Sequence, residues 1–218
     1  MSSGEEPAVG WVDPELAEEL PGLSMRYAVV GRASGRSPRE LRRRLNELAS
    51  RYSGAHAINL RHQPIPWAYR VFFRHIGLDP DEQPTPVEER MLERMKRGGF
   101  KSANLLDDAL TIAIVESGVA MRAFDADRVA GVPGIRPTRT GEGLEGRPGE
   151  LPAGTLVIAD DEGPLALLFG ATASGRGVQP GSSRTMLAAI GVRGVPEIAI
   201  EEAIWLAAGI LEGEAGPV

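Results

Sequence analysis

Residues 118–125 read Gly118-Val-Ala-Met-Arg-Ala-Phe-Asp125, and they form the centre of the stretch that decides the fold. Before them the chain reads Ser102-Ala-Asn-Leu-Leu-Asp-Asp108, and after them Thr155-Leu-Val-Ile-Ala-Asp160. The apolar residues 105–116 predict a helix, Gly118 predicts a turn, and residues 120–124 predict a strand. The stretch therefore joins a helical part of the chain to a strand-rich part.

This ordered set of residues resembles the B3/B4 editing domain of the phenylalanyl-tRNA synthetase β chain. In that family an Asn-apolar-apolar-Asp segment opens a helix, a segment ending in His-Ala-Phe-Asp follows, an Arg stands five residues before a Gly-Glu pair, and a strand ends in Val-Ile-Ala-Asp. The corresponding residues here are Asn104 with Asp107, Arg122-Ala-Phe-Asp125, Arg136 with Gly141-Glu142, and Val157-Ile-Ala-Asp160. Outside this quarter of the chain the similarity is one of element order only.

The composition is that of a globular protein with one sizeable core, at 218 residues and 42% hydrophobic content. We expect one domain over residues 11–212, a polar, disordered tail at residues 1–10, and a tail at residues 213–218. The chain has no cysteine, which excludes disulfides and thiolate chemistry. It shows no signal peptide and no apolar run long enough for a membrane span. We therefore predict a soluble cytoplasmic protein with no membrane partner.

Helix signals dominate the first half of the sequence and strand signals the second. Capping boxes at Ser37-Pro-Arg-Glu40 and Thr85-Pro-Val-Glu88 predict two helix starts, and residues 12–21 and 66–76 predict two more helices. Strands are predicted at residues 26–31, 120–124, 134–139, 155–160, 164–169 and 184–190, and a last helix at 197–211. This segregation predicts an α+β fold with a helical N-terminal portion. The resemblance implies a layered β/β/α arrangement.

Candidate RNA-binding residues lie on two of the predicted helices. The formal net charge of −6 argues against indiscriminate nucleic-acid binding and against DNA as a partner, so an RNA partner needs a localised basic face. The candidates are Arg42, Arg43, Lys96, Arg97 and Lys101. A structural interpretation accounts for both groups without RNA, because acidic neighbours offset the arginines and cations at a helix C-terminus complement the helix dipole.

The sequence offers little support for covalent or metal chemistry. The three histidines, His56, His62 and His75, lack metal-site spacing, and no Ser/His/Asp order, phosphate loop or cofactor motif is present. The family's reaction needs none of these, because an aminoacyl-tRNA ester is already activated and requires only a positioned water with donors for the developing oxyanion. No cofactor is therefore expected.

The resemblance and the residue types together give a set of candidate substrate-binding residues. They are Asn104, Asp107, Arg122, Phe124, Asp125, Gly170, Thr172, Ser174 and Thr185. Most of them also have a structural interpretation: Asn104 and Asp107 as helix-capping residues, Phe124 as core, Asp125 as a turn residue, and residues 169–175 as a surface connection. The functional hypothesis requires these residues to enclose one hollow.

Three departures from the family's pattern bear on function. Arg122 replaces the histidine of the motif and cannot serve as a general base, because it stays protonated. The family's Thr-Asn pair falls near Ala109-Leu110, and the glutamate that contacts a tyrosine hydroxyl falls at Ala188-Ala189. A pocket without those polar partners disfavours tyrosine and favours an apolar side chain.

These observations leave three functional hypotheses. The first, which the resemblance implies, is a trans-acting hydrolase that removes a mischarged, apolar amino acid from the aminoacylated 3′ end of tRNA, the second sieve that a binding pocket alone cannot supply. The second is a non-catalytic module that binds tRNA or a free amino acid. The third is a small-molecule enzyme on the same fold.

Overall fold

The structure is a computed structural model, and it describes residues 6–31, 33–52 and 59–213. Six α-helices and seven β-strands make up the described chain. The helices are α1 (Pro14–Glu19), α2 (Arg39–Arg51), α3 (Pro64–His75), α4 (Pro86–Arg97), α5 (Leu105–Ser117) and α6 (Glu197–Glu212). The strands are β1 (Ala8–Val12), β2 (Ser24–Val30), β3 (Ala120–Asp125), β4 (Gly134–Pro137), β5 (Leu156–Ala159), β6 (Pro164–Leu167) and β7 (Thr185–Gly191). His56 lies outside the described residues.

All seven strands belong to one sheet, in the order β3-β7-β2-β1-β4-β5-β6. Neighbouring strands run antiparallel, apart from the parallel pair β1 and β4 in the middle. In the register of β3 with β7, Arg122 lies opposite Ala188 and Asp125 lies opposite Thr185. The predicted α+β class is confirmed, because helices and strands segregate along the chain instead of alternating.

Two large apolar cores divide the fold into layers. The first core packs α2, α5 and α6 against one face of β2, β3 and β7, with Ala28, Leu187 and Ala189 as sheet residues. The second core lies on the opposite face, where Met25 and Ile190 meet residues of β4, β5 and β6. Side chains alternate between the two cores along β7, as the two-residue repeat of a strand requires. Residues of α1 and α3 also belong to the second core, so helices pack against both faces of the sheet.

The two predicted capping boxes have different outcomes. At the start of α4, Glu88 accepts hydrogen bonds from the backbone amide and the hydroxyl of Thr85, at 3.1 and 2.8 Å, so this box is confirmed. The box at Ser37 is wrong: the α2 N-cap is Pro38, without a side-chain cap. The hydroxyl of Ser37 instead donates to the buried carboxylate of Asp108, at 2.5 Å. This charge-assisted hydrogen bond ties Ser37 to α5.

The N-terminal segment differs from its prediction. Residues 8–12 form an internal strand of the sheet, so the sheet includes the last three residues of the predicted disordered tail. The helix predicted over residues 12–21 is shorter, Pro14–Glu19, and Asp13 caps it by accepting from the amides of Glu15 and Leu16. Within the described ranges, none of the helices has the length and apolarity needed to cross a membrane.

Candidate functional site

A cavity of about 400 Å³ opens where the helical layer meets the end of β3 and the loop after β6. Five segments contribute to its lining, which comprises Pro84, Pro86, Glu89, Arg90, Asp107, Leu110, Ile114, Ala120, Met121, Arg122, Ala123, Leu168, Phe169, Gly170, Thr172 and Ile190. Of the predicted substrate-binding residues, Asp107, Arg122, Gly170 and Thr172 meet here. Two cations and two carboxylates lie beside apolar residues in a lining whose surface is mainly polar.

Arg122 occupies the middle of the site and ties β3 to the loop after β6. Its guanidinium donates to the carbonyl oxygens of Gly170 and Leu167, at 2.7 and 3.4 Å, and to the hydroxyl oxygen of Thr172, at 2.8 Å. It forms no ion pair with a carboxylate of the described chain. Burial lowers the pKa of Arg122 to about 10, and the more distant charge of Glu89 opposes that shift. The group is therefore a cation at neutral pH whose charge has not been neutralised locally.

Asp107 approaches the cavity from the first turn of α5. Asn104 is the N-cap of that helix: its Oδ1 accepts from the amide of Asp107 at 2.9 Å, and its Nδ2 donates to Oδ2 of Asp107 at 2.7 Å. Asn104 does not itself line the cavity. It fixes the orientation of the Asp107 carboxylate instead, so it acts on the site through its neighbour.

The apolar part of the lining comes from α5, β3, β7 and the loop after β6. Leu110 and Ile114 lie one turn apart on α5, and Leu168 and Ile190 are buried residues of the sheet side. Ala188, which lies opposite Arg122 in the register, has no exposed surface and brings no polar group. The apolar lining residues can contact an apolar side chain, and Ala188, which does not line the cavity, offers no partner for a buried hydroxyl.

Comparison with known proteins identifies the family. The model of the B3/4 domain matches residues 68–195, which contain the whole cavity lining. The chain belongs to the B3/4 domain family. Curated relatives are phenylalanine–tRNA ligase β subunits: 39% identity over 94 residues for Xylella fastidiosa (strain Temecula1 / ATCC 700964) and 34% over 129 residues for Neisseria meningitidis serogroup A / serotype 4A (strain DSM 15465 / Z2491).

These matches are partial on both sides. They cover 42% and 57% of this chain, and 12% and 14% of the two relatives. The chain thus corresponds to a small part of a ligase β subunit. The resemblance inferred from the motif residues is confirmed for the B3/4 domain.

Besides Asn104, four of the predicted substrate-binding residues lie outside the cavity of this B3/4 domain. Phe124 has no exposed surface and packs in the second core. Asp125 accepts from the hydroxyl of Ser182 at 2.6 Å and from the amide of Asp127 at 3.1 Å. Thr185, opposite Asp125, is fully buried, and its hydroxyl oxygen has no hydrogen-bond partner among the described residues. Ser174 is exposed and packs beside Gly146.

Several motif residues that carried the resemblance hold the B3/4 fold together. Arg136 forms a two-point ion pair with Glu142, at 2.7 and 2.6 Å, with only 7% and 15% of the two side chains exposed. Asp160 accepts from the amides of Ala130, Glu162 and Gly163, at 2.8 to 3.0 Å. Their spacing in the sequence therefore reflects loop geometry and not contact with a ligand.

The predicted RNA-binding residues fall into two groups. Arg97 and Lys101 line a smaller cavity of about 200 Å³ at the C-terminal end of α4, and Lys96 is exposed on the same turn. Arg42 and Arg43 lie on α2, nearly two turns before Ala49, and neither residue lines that cavity. Arg43 forms an ion pair with Glu40 at 2.7 Å. The α4 group is contiguous with the main site, because Arg90 and Asp107 line both cavities.

Sequence reasoning missed Glu89 and Arg90 as lining residues of the main cavity. Arg94 donates twice to the carbonyl oxygen of Ala49, at 3.0 and 2.7 Å, so it joins α4 to α2. Glu89 and Arg90 lie in the first turns of α4, whose sequence pattern predicts a solvent-exposed face of charged residues. Nothing in that pattern distinguishes these two residues from the other charged residues of the helix. Across the described ranges, no group of His, Asp and Glu side chains is suited to hold a metal ion.

Proposed function

We propose that this B3/4 domain hydrolyses the ester of a mischarged aminoacyl-tRNA in trans, with an apolar amino acid as the favoured substrate. The observation that carries the proposal is the cavity in which Arg122, Asp107 and Thr172 lie beside apolar residues of α5 and β7. Its volume of about 400 Å³ lies within the range of small-molecule pockets, about 300 to 1,000 Å³. An amino-acid side chain and the ester that it carries fit in that volume.

The reaction places two demands on the site, and the polar lining residues can meet both. An oxyanion develops on the ester carbonyl, and the charged guanidinium of Arg122 with the hydroxyl of Thr172 are donors next to it. A water must be oriented toward the carbonyl carbon, and the carboxylate of Asp107, held by Asn104, is an acceptor for it. Arg122 then acts as an electrophile, since a pKa of about 10 keeps it protonated at neutral pH.

The tRNA partner follows from the position of the α4 cations. Lys96 and Lys101 form no ion pair within the described residues, and Arg97 has only a 3.9 Å pair with Glu93. Phosphates of the acceptor end that lie beside the smaller cavity would place the aminoacylated terminus next to Arg90 and Asp107. A localised cluster of this kind can bind RNA although the chain as a whole is acidic, and a cytoplasmic location is consistent with such a substrate.

A panel of tRNAs, each charged with one amino acid, tests the proposal. The purified protein is expected to deacylate a subset with small or medium apolar side chains faster than buffer does. Arg122→Met removes the donor and should lower the rate by about 10² to 10³, the effect typical of losing one oxyanion donor. Arg147→Met is the matched control, because Arg147 is exposed and does not line the cavity. Deacylation rates equal to those in buffer for every tRNA of the panel would refute the proposed hydrolase activity.

A second candidate function is a module that binds charged tRNA without turnover. It is favoured by the hydrogen bonds of Arg122, because its guanidinium already donates to Gly170, Leu167 and Thr172 and not to a ligand. This hypothesis predicts saturable binding of aminoacyl-tRNA, an unchanged ester lifetime, and weaker binding for Arg122→Met. Filter binding combined with the deacylation panel distinguishes the two functions, since only the hydrolase shortens the lifetime of the ester.

A further inference from the structure

A second and larger cleft, of about 700 Å³, borders the same loop that closes the first cavity. The two share Leu168, Phe169 and Gly170 as lining residues. The remaining walls of the cleft come from α1, from the end of α3 and from the segment that leads into β5. None of these segments contributed to the functional site described above.

The rim of this cleft is acidic. Asp13, Glu15 and Glu19 lie on or next to α1, and the described lining residues include neither Lys nor Arg. Asp13 already accepts from two helix amides, at 3.1 and 3.2 Å, so it is held in place. Glu15 and Glu19 are exposed and form no ion pair within the described chain. The three carboxylates therefore favour a cation over an anion at the mouth of the cleft.

The floor of the cleft is apolar and belongs to the second core. Leu16 and Leu168 are buried, and Leu20, Leu156 and Phe169 are half-buried beside them. Phe169 is held by edge contacts with Tyr69 and Phe72, at ring-centroid distances of 6.2 and 6.0 Å. A preformed apolar floor under a charged rim is the usual architecture of a small-molecule site.

We infer that this cleft binds a small organic amine, a cationic head on an apolar or aromatic body. The charge of the rim selects the ammonium group, and the floor formed by Leu16, Leu168 and Phe169 accepts the body. Nucleic acid is a poor occupant, because its phosphates would face three carboxylates. A small anion is disfavoured for the same reason. The cleft is therefore a separate site from the one proposed for the aminoacyl ester.

Tryptamine and indole-3-propionate test the inference as a matched pair, since they share the indole ring and carry opposite charges. We expect calorimetric titration of the intact chain to give saturable binding of tryptamine and a dissociation constant at least about tenfold higher for indole-3-propionate, since about 1.4 kcal/mol is a factor of ten. Equal affinity for the two compounds, or no binding of tryptamine, overturns the inference. Neither measurement needs tRNA or turnover, so the outcome is independent of the proposed deacylation.

Two kinds of variant locate the binding. Glu15→Gln with Glu19→Gln should weaken tryptamine binding about three- to tenfold, the loss expected of two partly solvated ion pairs. Glu18→Gln is the matched control, because Glu18 is an exposed residue of α1 outside the cleft lining. Ala153→Trp fills the cleft from its exposed edge and should abolish binding while thermal unfolding stays unchanged. If Glu18→Gln weakens tryptamine binding as much as the double variant does, or if Ala153→Trp binds tryptamine as well as wild type does, the ligand binds elsewhere and the proposed site is refuted.

Discussion

The Arg136–Glu142 ion pair should make a large contribution to stability, and Glu142→Gln tests this. The wild-type carboxylate accepts two hydrogen bonds from the guanidinium, at 2.7 and 2.6 Å, and a third from the amide of Arg139, at 3.0 Å. A carboxamide of the same shape can accept at only one of its two positions. The variant therefore leaves a nearly buried guanidinium without a counter-charge.

The expected loss follows from the burial of the two side chains. Removing one partner of a buried ion pair costs about 3 to 5 kcal/mol. Since 15% of the Glu142 side chain is exposed, water partly compensates Arg136 in the variant, and we expect the low end, about 3 kcal/mol. With a urea m value of about 2 kcal/mol per molar, the unfolding midpoint falls by about 1.5 M.

Urea unfolding followed by tryptophan fluorescence measures this shift. Glu145→Gln is the control, because Glu145 is exposed and its side chain forms no ion pair in the described chain; its effect should stay within about 0.5 kcal/mol. The double variant Arg136→Met/Glu142→Leu removes both charges and should be more stable than Glu142→Gln alone. A loss below about 1 kcal/mol for Glu142→Gln would show that the pair is not behaving as a buried one, and the reasoning would fail.

The same pair predicts a pH dependence with a definite sign. Hydrogen bonds from Arg136 hold the pKa of the Glu142 carboxyl below its ordinary value. Because the folded-state pKa is the lower one, the stabilisation is fully present above the unfolded-state pKa of about 4.3 and is lost as the pH falls through the folded-state pKa. The difference in unfolding free energy between wild type and Glu142→Gln should therefore be constant near neutral pH and shrink below about pH 4.

Two further predictions concern the helices that support the site. Tyr69→Phe should lower the unfolding free energy by about 1 to 3 kcal/mol, because the hydroxyl donates to the carbonyl oxygen of Ile190 and accepts from the amide of Ala120, both buried; a neutral result in urea unfolding would mean that water replaces both bonds. Thr85→Ala should cost about 1 kcal/mol through loss of the α4 cap, and Thr85→Ser, which keeps the hydroxyl, should recover most of it. Equal losses of unfolding free energy in Thr85→Ala and Thr85→Ser would show that the methyl group of Thr85, and not its hydroxyl, stabilises the fold.

Much of the fold could be predicted from local sequence patterns. The helix at Leu105–Ser117, the turn at Gly118 with φ 75° and the strand Ala120–Asp125 follow from an apolar run, a glycine that tolerates positive φ, and a strand-forming segment. The Thr85 cap is likewise local, since its partner lies three residues away. The family was also recognisable from the order and spacing of a few motif residues.

The site could be predicted only in part, because proximity between distant segments is a property of the folded chain. Arg122 and Thr172 are 50 residues apart in sequence, and only the packing of β3 against the loop after β6 joins them. Ser37 had a suitable capping position, yet α2 has no side-chain cap, and the Ser37 hydroxyl donates to a carboxylate 71 residues away.

Local sequence determined the elements of this protein, since propensities, caps and turns act over a few residues. The tertiary structure alone decided which motif residues face a cavity, as Arg122 and Asp107 do, and which are bound in the framework, as Glu142 and Asp160 are. The physical reason is that a charged side chain binds the partner that packing brings to it, and the sequence pattern of a ligand-facing residue is the same as that of a buried ion pair.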